Sequence, residues 1–66
     1  MKKQIESLQN FLKFSENIEE AAKKLSDKEK RLSVKAAKNV LLDVQDYNDA
    51  KITEQELSLF LVSNGF

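Results

Sequence analysis

The sequence predicts an all-α fold, a small three-helix bundle, on three observations. Apolar residues recur at helical spacing, beginning with Phe11, Phe14, Ile18, Ala21 and Leu25 at intervals of 3, 4, 3 and 4. One Gly, no Pro and 33% charged residues leave few points at which a helix must break. Two capping boxes, Ser26-Asp27-Lys28-Glu29 and Thr53-Glu54-Gln55-Glu56, mark helix starts.

The elements follow in order. The stripe of the first helix, widened by Ile5, Leu8, Leu12 and Ala22, runs through one helix at about 3–25. Ser15 and Asn17, each followed by Glu, offer an alternative cap and bend midway. The Ser26 box opens a second helix at about 27–47, with a core face of Val34, Ala37, Val40, Leu41 and Val44. It packs on the first as an antiparallel hairpin. The third, at about 53–64, has the strongest start signal, because Ile52 and Leu57 add a hydrophobic staple to the Thr53–Glu56 box. It stops at Asn64-Gly65, where Gly accepts the left-handed conformation that lets Phe66 fold back.

These 66 residues make a single domain, 1–66, that buries only roughly 60% of the surface of its unfolded chain. With no Cys and no His, disulfides and the usual metal ligands are closed off as reinforcement. Very good helix packing or assembly as a homodimer remains. No apolar run reaches the roughly 18 residues of a membrane span, and Met1-Lys2-Lys3 leads into Gln4, Glu6 and Gln9 rather than an apolar signal core. The expected location is cytoplasmic, with no membrane partner.

Catalysis needs a poised nucleophile, acid or base, and neither His nor Cys is present. Glu16, Glu19 and Glu20 at helical spacing, and Asp43 with Asp46, read as solvated faces. No enzyme, cofactor, metal or small-molecule substrate is expected, because so short a chain has difficulty enclosing a ligand pocket.

Asp49-Ala50-Lys51-Ile52 followed by Thr53, Glu56 and Leu57 has the order of a loop Asp, a tight-turn position, a pairing Ile and a closing Glu. In this respect the stretch from Leu41 to Gly65 resembles one helix-loop-helix unit of the EF-hand family, which implies a degenerate calcium-responsive helix pair as one alternative. Counting twelve loop positions back from Glu56 puts Gln45 first, Tyr47 third and Ala50 sixth. The family has oxygen ligands at the first two and Gly at the last.

Charge is unevenly placed. Seven basic residues stand against Asp27 and Glu29 between Lys23 and Lys38, whereas five acidic residues stand against Lys51 from Asn39 onward. On a second helix that starts at Asp27, Lys28, Arg31, Lys35 and Lys38 form a basic stripe. Such a stripe suits an anionic partner, either nucleic acid or an acidic protein.

The third helix carries the main functional expectation. Leu57, Phe60 and Leu61 make one face while Leu59 and Val62 occupy others, so the helix is apolar nearly all round. Part of that surface, with Phe66, must face water or a partner. The expected function is a non-enzymatic protein–protein interaction or regulatory module, an adaptor or inhibitor of the size that bacteria and phages encode. It self-associates through Leu57, Leu59, Phe60, Leu61, Val62 and Phe66 and binds another protein. A nucleic-acid-associated regulator using the basic stripe is the alternative.

Overall fold

The computed structural model describes residues 2–66. Among them the chain forms four helices and no strand: α1 (Lys2–Lys13), α2 (Ile18–Lys28), α3 (Val34–Asn48) and α4 (Glu54–Ser63). The all-helical expectation holds. The expected three helices become four, because the first apolar stripe is divided.

A continuous helix over 3–25 would be roughly 34 Å long at 1.5 Å per residue, more than the 26 Å longest extent of the molecule. Breaking it at 14–17 lets two short amphipathic helices lie on the same third helix. The break is made by Asn17, whose backbone is extended and whose side chain accepts a 2.8 Å hydrogen bond from the Glu20 N–H. Glu19 and Glu20 then sit in the first turn of α2, where the helix dipole favours negative charge.

The second helix also starts later than the Ser26 box predicts. Residues 26–28 continue α2, and the Ser26 hydroxyl donates to the Leu32 carbonyl at 2.8 Å. The cap that forms is Ser33, whose Oγ accepts from the Ala36 N–H at 3.1 Å. Leu32 decides between these caps. It is buried in the connecting segment, and burial of one Leu is worth roughly 1.5 to 3 kcal/mol, more than the ~1 kcal/mol of a typical N-cap.

The C-terminal helix forms as its sequence predicts. Thr53 Oγ1 accepts from the Glu56 N–H at 3.2 Å, and the Glu56 carboxylate accepts from the Thr53 N–H at 3.0 Å. At the far end the Phe66 N–H donates to Leu61 and the Gly65 N–H to Val62, a full Schellman closure with Gly65 at φ 86°. The end of α3 repeats this pattern, with Lys51 donating to Asp46 and Ala50 to Tyr47. There the left-handed position is Ala50, at φ 60°.

α3 lies at the centre and packs against the other three helices. Its Ala37, Val40, Leu41 and Val44 are fully buried against Ile5 and Leu8 of α1, Ala21, Ala22 and Leu25 of α2, and Leu57 and Leu61 of α4. Val34, expected on this face, is 45% exposed because it begins the helix at the rim. Small residues of α2 and α3, Ala21, Ala22 and Ala37, are among the buried positions and permit close approach of the helices.

Candidate binding surfaces

The six residues expected to form one interface divide into two sets. Leu57 and Leu61, one turn apart, point into the core and are fully buried. On the opposite side of α4, Leu59 and Val62 are 68% and 59% exposed, with Phe60 on the flank at 40%. Phe66 packs partly against the core. The surface open to a partner is therefore Leu59 and Val62, with Phe60 beside them. Leu42 of α3 is exposed as well, consistent with its position away from the apolar face of that helix.

The basic stripe does not lie on one helix. Lys28 ends α2, Arg31 stands in the loop before α3, and Lys35 and Lys38 belong to α3. Lys38 reaches Glu19 at 3.7 Å. Arg31 is held in place: its guanidinium donates to the Asn64 carbonyl at 3.0 Å, stacks over the Phe66 ring at 4.9 Å and lies 3.7 Å from Glu29. It thereby ties the end of α4 to the loop between α2 and α3. Only Lys28 and Arg31 of the four line a common hollow.

That hollow was not legible in the sequence. It is a groove of about 340 Å³ between the start of α1, the end of α2 and the C-terminal segment, floored by Leu8, Phe11 and Leu25. A second hollow of about 330 Å³ adjoins it and shares Ser7, Phe11 and Lys28. The signal that brings Phe11, Phe14 and Phe66 to one side is the bend at 14–17 together with the closure at Gly65. Both must be known before the three rings can be placed together.

The segment that resembles an EF-hand takes a different shape. Residues 45–48, where the loop count begins, are the last turn of α3, so the connection to α4 is only 49–53. Glu56 is engaged as the capping-box acceptor. Among the described residues no group of three or more carboxylates gathers as a metal site.

Two carboxyl groups have shifted titration. Asp43 is raised from its ordinary value of 3.8, first by partial burial and then by repulsion from Asp46. Glu20, on the surface, is lowered by its hydrogen bonds with Lys24 and with the Glu16 backbone. Both shifts are accounted for by their immediate neighbours. No helix among the described residues is long and apolar enough to cross a membrane. No family profile, curated protein or solved structure matches this chain.

Proposed function

We propose that this chain is a non-enzymatic protein–protein interaction module of the adaptor or inhibitor type, and that it associates with a second copy of itself through the outer face of α4. The observation that carries this reading is the exposure of Leu59 and Val62, three residues apart, on a helix whose opposite side is anchored by Leu57 and Leu61. A two-fold interface pairs such a face with its own copy. So small an apolar face suits a weak, regulatory contact rather than an obligate dimer.

The nucleic-acid reading draws less support, because its four cations lie on three segments and two of them are engaged by Glu19 and Glu29. The melting midpoint measured over a wide concentration range separates these readings. A self-associating chain gains stability with concentration by mass action, and Leu59→Glu removes the gain. A midpoint independent of concentration in the wild type would contradict self-association.

A further inference from the structure

Three aromatic rings on the α1 side of the molecule each lie beneath a cation. Lys28 stands over Phe11 at 5.8 Å, Lys13 over Phe14 at 5.5 Å and Arg31 over Phe66 at 4.9 Å. The rings border two adjoining hollows that share Ser7, Phe11 and Lys28, which together make one grooved surface of two compartments. Phe14 is 70% exposed, a large ring left on the surface at the bend between α1 and α2. The cations Lys3, Lys24, Lys28 and Arg31 line the groove against the lone carboxylate of Glu29. An apolar floor inside a basic rim is a surface of defined chemistry.

We propose that the groove bordered by Phe11, Phe14 and Phe66 and rimmed by Lys3, Lys28 and Arg31 receives an acidic amphipathic helix of another protein. Large side chains at i, i+3 or i+4 and i+7 of such a helix enter the two hollows, as helix-in-groove recognition requires. Asp and Glu at its flanks meet the rim, where charge complementarity sets orientation and selects against basic partners. A single-stranded nucleic acid fits less well. Bases stack flat on exposed ring faces, and of the three rings Phe14 is largely exposed while Phe11 and Phe66 are packed partly against the core, whereas the two hollows beside the rings admit inserted side chains.

The inference rests on the reading of the chain as a binding module but uses a surface separate from the outer face of α4, so each can fail alone. The test is selection of a displayed library of random 16-residue peptides on the full chain, followed by affinity measurement of the enriched peptides. Enriched sequences carry apolar anchors at helical spacing with an excess of Asp and Glu. Phe14→Ser and Lys28→Glu, both at exposed positions with the fold checked by circular dichroism, each weaken binding by roughly tenfold or more. Neutral or basic winners, or affinities unchanged in both variants, would overturn the proposal. So would Lys28-dependent binding of oligo-uridine without peptide enrichment, which assigns the groove to nucleic acid. Loss of self-association in Phe14→Ser overturns it too, since the occupant is then a second copy.

Discussion

Single residues carry opposing local energies that can be measured one at a time. Ala50 closes α3 in the left-handed region, where a side chain costs roughly 1 to 2 kcal/mol, and Gly removes that cost at a smaller entropic penalty. Ala50→Gly is therefore expected to stabilise the fold by about 0.5 to 1 kcal/mol, a rise of a few degrees in melting temperature. Gly65→Ala acts in reverse at the end of α4, because a Cβ there meets both the strained φ and the Arg31 guanidinium. Asp43 binds its proton more tightly when folded, so its charge costs stability as pH rises through and above the window starting at 3.8, and costs nothing below it. Asp43→Asn is expected to raise the melting temperature at pH 7 and to have little effect near pH 3. An equal effect at both values would show that the carboxylate charge is not the cause. Glu20 has the opposite sign, with its stabilising contact present above 4.5 and lost as pH falls.

Elements show where sequence reading succeeds. α4 was legible to its ends, because the Thr53–Glu56 box and Gly65 act within a few residues and nothing in the tertiary structure competes with them. The bend at 14–17 was not decided by periodicity, since Phe11, Phe14, Ile18 and Leu25 keep one stripe whether or not the helix breaks. What decides it is length against the size of the core, and that appears only once α3 is in place. The start of α3 was misread for a similar reason: two Ser caps compete, and isolated Leu32 between Arg31 and Ser33 settles the matter through burial. Because the basic stripe depended on that start, it dissolved with it, and the aromatic groove emerged from the bend instead. The sign of one substitution tests the break. Asn17→Ala removes the cap of α2 and is expected to destabilise by ~1 kcal/mol. In an unbroken helix the same change would stabilise by roughly 0.5 kcal/mol or more through helix propensity.

At the scale of the whole molecule, the described residues close around one apolar core. Its radius of gyration is 10.6 Å, against about 10.8 Å for a compact chain of this length. Its accessible surface of 4475 Å² is close to the roughly 4300 Å² of a folded monomer of this mass. Leu59 and Val62 lie outside that core, so a charge at either position is expected to leave folding unchanged and, on the proposed reading, to abolish association. The apolar outer face of α4 and the cation-rimmed aromatic groove are two surfaces of different chemistry on one small body. The most direct measurement of the central claim is the sedimentation mass of the full chain from micromolar to millimolar concentration, alongside Leu59→Glu. The mass of the wild type is expected to climb from 7.6 kDa towards twice that value, while the variant, with unchanged helicity, stays at the monomer mass. A wild type that remains at 7.6 kDa throughout, or a Leu59→Glu variant that associates equally well, would contradict α4 as the self-association surface.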